Sequence, residues 1–281
     1  MEWIQARENQ YVKLARAVQS PKGRRAHGCY PVEGVRLAEE ALAAGLPLVV
    51  ALFADGAAAK NGRLAALAAA VEQRGVRCLL LPERLFAVCC DTEHPQGVLL
   101  LARLPQPPAL SALPRHSGCW AYADQIRDPG NLGTIIRSAR AAGVDALLLA
   151  PTCADVYQPK TLRAAMGAAF QLPLLPELPP AAVYDWTRQN RVTVLAADAG
   201  GADVRTLAPV LRGPHLWVLG AEADGLTPFW RQRADHLARL PMAAGSESLN
   251  VAAAAAVLFY QSLFAREGGG NAAASASLSG Q

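Results

Sequence analysis

Three polar segments, each directly after a stretch typical of a buried strand, contain the side chains that could do chemistry. They are DQIRDPGNLGTIIRSARAAG (124–143), HLWVLGAEADGLTP (215–228) and LARLPMAAGSESLNVAAAAAV (237–257). Ligands of open α/β sheets bind outside the carboxyl ends of the strands. Because all three segments would begin at that edge, we expect their polar side chains to form one site.

The first segment combines an asparagine with an arginine on a helix predicted over 131–143. Asn131 could simply be the N-cap of this helix, and Arg137 could be an ordinary solvated residue. Arg137 is flanked by isoleucine and alanine side chains, however, so we expect it to emerge from an otherwise apolar face. An arginine on such a face needs an anionic or carboxylate partner.

The other two segments offer a carboxylate and an amide. Glu222 follows a predicted strand, although a plain glycine turn would also explain it. In the last segment, Ser246 or Ser248 could cap the long C-terminal helix while Glu247 complements the helix dipole. Such a cap does not explain Asn250, which is predicted to stand inside the apolar helix.

Two α/β domains are predicted to hold these segments. The prolines of LPQPPALSALPRHSG predict a linker at 105–118. Helices such as the one predicted over 32–45 alternate with short apolar strands in residues 1–104 and again in residues 119–267. The continuous apolar strands of the second domain predict a largely parallel sheet covered on both faces. The Gly-, Ala- and Ser-rich end, 268–281, is predicted to be a disordered tail.

Composition and missing motifs exclude several classes of protein. The 281 residues are 52% apolar and 18% charged, which suits a folded core, and the net charge of +4 is a modest hint of a polyanionic partner. The sequence has no GxGxxG after a strand and no GxxxxGK[ST], GxSxG or HExxH, so an ordinary dehydrogenase, P-loop enzyme or serine hydrolase is not supported.

The cysteines and the apolar stretches indicate a cytoplasmic protein. The six cysteines form no CxxC pair and have no histidine at metal-ligand spacing, so we predict free thiols and no metal site. The N-terminus lacks the apolar core of a secretory signal, and the longest apolar run is too short and alanine-rich to cross a bilayer comfortably. We therefore expect no membrane association.

The three segments resemble the signature motifs of the SpoU/TrmH family, which are RNA ribose 2′-O-methyltransferases of the SPOUT class. The similarity consists of N-x-G-x-x-x-R in NLGTIIR, G-x-E-x-x-G-L in GAEADGL and P-M-x-x-G-x-E-S-L-N in PMAAGSESLN, in family order. PKTLRAAMGAAFQLP (159–173) is also similar to a family helix. Residues 9–42 and PQGVLLLAR (95–103) resemble the α/β substrate-binding domain often fused ahead of it, with CYPVEG as one conservative departure.

The resemblance implies a SPOUT domain that binds S-adenosylmethionine in a deep trefoil knot. The residues implied to surround the cofactor are Ala197, Leu219, Gly220, Leu240, Met242, Ser248 and Leu249. Arg137 is the implied catalytic residue, assisted by Asn131, Glu222, Ser248 and Asn250. Because arginine is effectively always protonated, we prefer an electrostatic role for Arg137 over that of a base. Glu222 would hold Arg137 or Asn131, and Asn250 would orient the first segment.

The implied partners are RNA and a second copy of the chain. A basic N-terminal run could be only a solvated face, but ahead of such a domain we expect it to bind phosphates. The residues predicted to contact RNA are Lys13, Arg16, Lys22, Arg24, Arg25, Lys160 and Arg163. Family members are usually homodimers joined through the knotted domain, and the apolar helix 251–264 could contribute to that contact or to the core of its own domain.

Two other functions compete with methylation of a ribose in ribosomal RNA, and transfer RNA is a possible substrate as well. A base methyltransferase of the same class is the nearer alternative, against which Asn131 and Arg137 argue. The more distant one is a non-catalytic RNA-binding factor in ribosome assembly. A protein that had lost catalytic activity would have no reason to keep all of the implied catalytic residues, so we expect an enzyme.

Overall fold

The protein is described from a computed structural model, in residues 1–113, 118–222, 224–243 and 248–276. The chain forms two compact units. The first comprises Met1–Gln106 with Asp155–Gln171, and the second comprises Pro107–Ala154 with Leu172–Gln281. Residues 155–171 thus group with the first unit, although they lie within the predicted 119–267 domain, and the domain boundaries themselves stay predictions.

The first unit contains a mixed sheet. Its strands are β1 (Glu2–Trp3), β2 (Cys29–Glu33), β3 (Leu48–Ala54), β4 (Cys78–Leu81) and β5 (Val98–Arg103). The strand order is β1-β4-β3-β5-β2. β1, β4 and β3 run parallel, whereas β5 is antiparallel to both β3 and β2. β2 begins before the helix predicted over 32–45 and overlaps its start, because CYPVE is buried throughout and pairs with β5.

Helices cover this sheet. They are α1 (Gln10–Ala17), α2 (Pro21–His27), α3 (Val35–Ala43), α4 (Ala57–Lys60), α5 (Gly62–Gln73) and α6 (Glu83–Ala87). Val12 of α1 and Phe86 of α6 join Leu52 and Leu79 of the central strands in one buried cluster. Such an apolar cluster supplies the main favourable free energy of a domain of this size.

The second unit has a sheet in which every strand pair is parallel, which confirms the predicted parallel sheet. Its strands are β6 (Cys119–Ala123), β7 (Ala146–Leu149), β8 (Leu174–Leu175), β9 (Thr193–Asp203), β10 (His215–Leu219) and β11 (His236–Arg239). The order is β11-β9-β10-β6-β7-β8. Every residue of β6, β7 and β10 is buried, as expected for parallel strands covered on both faces.

The remaining helices follow in chain order. They are α7 (Pro129–Ala141), α8 (Pro159–Ala165, in the first unit), α9 (Pro180–Asn190), α10 (Ala208–Leu211), α11 (Pro228–Arg233) and α12 (Val251–Ala276), with 3₁₀ turns at Leu110–Ala112, Ala168–Phe170 and Val204–Leu207. α7 packs against α12. α12 extends into the predicted tail 268–281, of which residues 277–281 lie outside the described residues.

Two expectations concern larger features of the fold. Across the described ranges, no helix is long and apolar enough to cross a membrane. The trefoil knot implied by the resemblance stays a prediction.

Candidate active site

A cavity of about 450 Å³ lies beside the carboxyl ends of β10 and β11 and the second half of β9. Its volume falls within the range of roughly 300–1,000 Å³ that is usual for small-molecule sites. All seven residues predicted to surround the cofactor line this cavity: Ala197, Leu219, Gly220, Leu240, Met242, Ser248 and Leu249. Glu222 and Asn250 also line it, whereas Asn131 and Arg137 do not.

A bulge in β9 forms one wall of the cavity. Ala196 pairs with Leu237 and Ala202 pairs with Ala238, so residues 197–201 leave the ladder between these two pairs. A Cβ at Gly201 would lie 2.4 Å from the backbone carbonyl of Leu237, so only glycine allows the strand to return so closely. Bulges of this kind reshape a strand next to a functional site.

The wall is fixed by a carboxylate. Asp198 Oδ1 accepts a hydrogen bond from the backbone N–H of Gly200 at 2.8 Å, and its Oδ2 pairs with Arg231 Nη2 at 2.9 Å. These contacts hold the bulge in one conformation from both sides. Asp198 thus stabilises this wall of the cavity.

Glu222 sits in a tight turn between β10 and α11. Ala221 and Gly225 exchange two backbone hydrogen bonds of 2.9 Å, and Gly225 has a φ of +65°. A Cβ at Gly220 would lie 2.4 Å from the Gly225 carbonyl carbon. The close approach of this turn therefore requires glycine at position 220, one of the residues that the resemblance implies to surround the cofactor.

Asp124, which was not among the predicted site residues, links the end of β6 to the segment that follows the Ala221–Gly225 turn. Its carboxylate is 1% exposed, and Oδ2 accepts a hydrogen bond from the backbone N–H of Thr227 at 2.9 Å. A carboxylate directly after the buried strand CWAYA was the available signal. Asp124 therefore joins the end of β6 to the segment that carries Glu222.

Asn131 connects the three predicted segments through its side-chain amide. Its Nδ2 donates a hydrogen bond to Glu222 Oε1, and its Oδ1 accepts one from Asn250 Nδ2 at 3.0 Å. Of the two partners predicted for Glu222, the structure has Asn131. The predicted contact of Asn250 with the first segment is present as well, so one amide links residues more than ninety positions apart.

Both predicted caps at this site need correction. Asp128 caps α7, since its Oδ1 accepts from the backbone N–H of Asn131 at 2.8 Å, and the helix begins at Pro129. Asn250 caps α12, because its Oδ1 accepts from the backbone N–H of Ala252 at 2.9 Å. Ser248 precedes this helix, and Ser246 and Glu247 lie outside the described residues.

Arg137 lies on an exposed face of α7, contrary to the apolar face predicted for it. Thr134 and Arg140, its neighbours one turn before and after, are exposed too. Within the described ranges Arg137 has no hydrogen bond or ion pair, so its guanidinium is free to bind an external anion.

The residues predicted to contact RNA divide into an exposed group, the half-buried Arg163 and the buried Arg24. Arg16, Lys22, Arg25 and Lys160 are exposed, and Lys13 is exposed but paired with Glu8 at 2.6 Å. Arg163 is half-buried and its Nη2 donates to Asp91 Oδ2 at 2.8 Å. Exposed cations of the first group are accessible to the phosphates of an RNA strand.

Arg24 does not fit its predicted role. The side chain is 2% exposed and donates to the carbonyls of Val18 and Gln19, both at 2.9 Å. Its Nε and Nη2 bind Asp155 Oδ2 at 3.0 and 2.6 Å. A buried arginine must be paired, and these partners leave it no access to RNA.

The six cysteines are all free, as predicted. Burial raises the pKa of the Cys89 and Cys153 thiols to about 11, and that of Cys119 to about 12. These thiols are therefore protonated at neutral pH and unsuited to act as nucleophiles. In the described part of the chain, no cluster of His, Cys, Asp or Glu side chains could hold a metal ion.

Two family models match the chain. Residues 120–260 match the SpoU rRNA Methylase family, and residues 9–100 match the MRM3-like substrate binding domain. Among curated proteins, the 23S rRNA (guanosine(2553)-2′-O)-methyltransferase RlmP of Bacillus subtilis is 30% identical over 92% of this chain and 98% of its own. The 23S rRNA (uridine(2479)-2′-O)-methyltransferase of Streptomyces viridochromogenes is 33% identical over 68% of each chain.

Solved structures share the fold. An AdoMet-bound rRNA methyltransferase from Sinorhizobium meliloti has a TM-score of 0.80 and 28% identity, over 93% of this chain and 97% of that one. The SpoU methyltransferase AviRb from Streptomyces viridochromogenes, in complex with AdoMet, has a TM-score of 0.80 and 26% identity, over 92% of this chain and all of that one.

The parallel sheet with a cavity at its carboxyl edge defines the second unit as a ligand-binding α/β domain of the SPOUT class. With the match over residues 120–260, the chain belongs to the SpoU rRNA methylase family. This confirms the family that the three sequence motifs indicated.

Proposed function

We propose that the protein is an enzyme that methylates a ribose 2′-hydroxyl of ribosomal RNA with S-adenosylmethionine, at the cavity of the second unit. One observation carries the proposal above the others. Asn131 is hydrogen-bonded to both Glu222 and Asn250, which line a cavity that is also lined by every residue predicted to surround the cofactor.

The chemistry of the cavity suits S-adenosylmethionine. Leucine and methionine side chains at 219, 240, 242 and 249 offer apolar surface for an adenine ring. Residues 197–199 of the bulge, residues 220–222 and Gly225 also line the cavity, and their backbone N–H and C=O groups can select the polar edges of the base and the sugar. When bound, the cofactor supplies an electrophilic methyl group on its sulfonium.

The protein's own residues then have to align the ribose and stabilise its developing alkoxide. Asn131 is held at both ends of its amide, so it presents a fixed edge of α7 to the substrate. Alignment of this kind removes much of the entropic barrier. Arg137, exposed and always protonated, grips the phosphate next to the target ribose and stabilises negative charge on its oxygen.

A second copy of the chain completes the assembly in this proposal. Val257, Tyr260 and Phe264 form an exposed apolar stripe along α12, and Phe264 is 57% exposed. Spacings of three and four residues place them on one face of the helix. Contiguous apolar side chains on a surface favour association, so we assign this stripe to the contact between two subunits.

Ribosomal RNA in the cytoplasm is the proposed substrate. The first unit matches a substrate-binding domain, and the relatives described above act, by their names, on 23S rRNA. Exposed basic side chains of that unit, such as Lys22 and Arg25, would bind its phosphates.

The test is methyl transfer to 23S and 16S rRNA isolated from a strain that lacks the gene, with methyl-labelled cofactor. We expect the label in one nucleotide of rRNA, within a dinucleotide that resists alkaline hydrolysis because its 2′-oxygen is blocked. Label in a base would support base methylation. Cofactor binding without any transfer to rRNA or tRNA would contradict the proposal.

A further inference from the structure

A cavity of about 310 Å³ lies within the first unit. Its walls come from the end of β2, the first turn of α3, the segment 92–96 and the segment that contains α8. Leu37 and Met166 supply apolar surface, while Arg36, His94 and Arg163 supply cationic or aromatic groups. The functions assigned above to the methyltransferase cavity and to the exposed basic helices leave this cavity unexplained.

The carboxylate in this cavity is already bound by its own chain. Glu33 is 6% exposed and accepts hydrogen bonds from the backbone N–H groups of Asp91 and Thr92, at 2.7 and 3.3 Å, and from the Thr92 hydroxyl. Three donors satisfy most of its acceptor capacity. Glu33 therefore holds the segment after residue 90, and most of its acceptor capacity is used there.

Several donors around the cavity have no acceptor among the described residues. Arg36 is exposed and has no hydrogen bond or ion pair in the described ranges. Arg163 Nη2 donates to Asp91, whereas Arg163 Nη1 is buried and has no hydrogen-bond partner in the part of the chain that the structure describes. Gln96 uses Oε1 to accept from the backbone N–H of Val35 at 3.0 Å, which leaves its amide N–H₂ for another acceptor. A buried donor without a partner is unfavourable, so a ligand that offers acceptors would be stabilised.

We propose that this cavity binds one unstacked nucleotide of the RNA substrate. Proteins recognise single-stranded RNA by stacking splayed bases on histidine rings or arginine planes and by hydrogen bonds to base edges. Arg36 and His94 offer such planes, Leu37 and Met166 offer an apolar contact, and the donors of Arg163 and Gln96 suit a base edge or a phosphate. The inference deepens the proposed function, on which it rests, by naming a recognition site for the RNA outside the methyl-transfer site.

A neighbouring cavity favours a polymer over a free nucleotide. A cavity of about 510 Å³ in the same unit is also lined by His94 and Gln96, together with residues such as Asn61 and Pro95. Because the two cavities share these side chains, a strand that leaves one can continue into the other. A mononucleotide is expected to occupy only one of the two cavities.

The test compares the full-length protein with the double variant Arg36→Gln/His94→Ala in binding to an unmodified 23S rRNA transcript. Both residues are exposed, so the fold should survive, which a melting curve checks. Loss of one base-stacking site typically weakens binding by about tenfold, and we expect that loss with unchanged affinity for S-adenosylmethionine. Arg74→Gln is the matched control, since Arg74 is an exposed arginine of the same unit that lines neither cavity.

Cross-linking gives a second measurement that a purely structural role would not change. A transcript substituted with 4-thiouridine and 6-thioguanosine should cross-link, on irradiation, to the peptide that contains residues 92–96. Equal rRNA affinity of the double variant and the wild type, or binding of free guanosine and adenosine monophosphates that rRNA does not displace, would overturn the site. Neither result touches methyl transfer by the wild type, which tests the proposed function separately.

Discussion

Arg24 in the first unit and Arg137 in the second have opposite surroundings, although both were predicted to be functional: Arg24 as a contact to RNA and Arg137 as the catalytic residue. Arg24 is 2% exposed and binds two carbonyl groups and the carboxylate of Asp155. Arg137 is exposed on α7 and has no polar partner within the described ranges. The first guanidinium stabilises the protein by satisfying its neighbours, whereas the second is available to a ligand.

The difference shows how a basic residue is assigned to stability or to function. A buried arginine that lost its partners would leave an uncompensated charge, so its contacts are required for folding. An exposed arginine contributes little to stability, and its free donors can instead be used in the transition state. Substitutions at the two positions should therefore separate cleanly into losses of stability and losses of activity.

Arg137→Ala should have the largest effect, on activity alone. Removal of one donor that stabilises developing charge costs about 100- to 1,000-fold in kcat. Because Arg137 does not line the cofactor cavity, its removal should leave S-adenosylmethionine affinity and the melting temperature nearly unchanged. Methyl transfer to rRNA, calorimetry with the cofactor and thermal melting measure the three quantities.

Arg137→Lys is the matched control for this prediction. Lysine keeps the positive charge but lacks the planar fork of donors, so we expect activity between those of the alanine variant and the wild type. Full turnover by Arg137→Ala would rule out any role of Arg137 in the reaction.

Arg24→Ala should destabilise the protein by about 3 kcal/mol, because it leaves the carbonyls of Val18 and Gln19 and the carboxylate of Asp155 without their donor. Urea denaturation measures this change. Arg25→Ala is the control, since the neighbouring arginine is exposed and its removal should change the free energy of unfolding by less than about 0.5 kcal/mol. Equal free energies of unfolding for the two variants would contradict the assignment of buried Arg24 to stability and of exposed Arg25 to the surface.

A buried histidine extends the comparison to pH. His215 Nδ1 donates to the Gly213 carbonyl at 2.8 Å, and Nε2 accepts from the Ser262 hydroxyl, which also accepts from Trp217 Nε1. Burial lowers the pKa of His215 to about 4, and the charge of Arg266 adds to this shift. The surroundings of His215 therefore favour its neutral form, whereas those of Arg24 favour a charged side chain.

The lowered pKa of His215 sets the direction of a pH effect. The unfolded chain, with an ordinary histidine pKa, binds the proton more readily than the folded protein. Stability is therefore complete above about pH 6.5 and is lost as the pH falls towards the folded pKa, by about 2 kcal/mol between pH 7 and pH 5. Denaturation curves at both pH values measure it. His215→Gln, which does not titrate, should show a smaller change, and an equal change would exclude His215 as the cause.

The sequence indicated the chemistry of the site better than its local geometry. Continuous apolar strands predicted the parallel sheet, and three motifs predicted the residues around the cavity. The caps were wrong because Asp128 and Asn131 are equally good cap residues, and only the fold decides which one the helix uses. The burial of Arg24 depends on Asp155, which is distant in sequence, so no local pattern could distinguish it from Arg25.

Asn250→Asp should separate the two roles of this asparagine. Aspartate retains the side-chain oxygen that caps α12 and is favourable at a helix N-terminus, so the free energy of unfolding should change by less than about 0.5 kcal/mol. It loses the N–H that donates to Asn131, so kcat should fall by about tenfold. Asn250→Ala loses both hydrogen bonds and should additionally cost about 1 kcal/mol of stability. Unchanged activity of Asn250→Asp would show that the amide network does not position Asn131.

Lys22→Gln/Arg25→Gln tests the exposed side of the comparison through the salt dependence of RNA binding. Both cations lie on α2 next to the buried Arg24, so only exposure distinguishes them from it. Each phosphate that the variant no longer neutralises should reduce the slope of log K against log salt by about one, so we expect the slope for 23S rRNA to fall by about two. The melting temperature and the cofactor affinity should stay as in the wild type. Arg74→Gln, the control, should leave the slope unchanged. If the slope is also unchanged for Lys22→Gln/Arg25→Gln, the phosphates are bound elsewhere, and the exposure of a cation on α2 is not sufficient to place it in the RNA-binding surface.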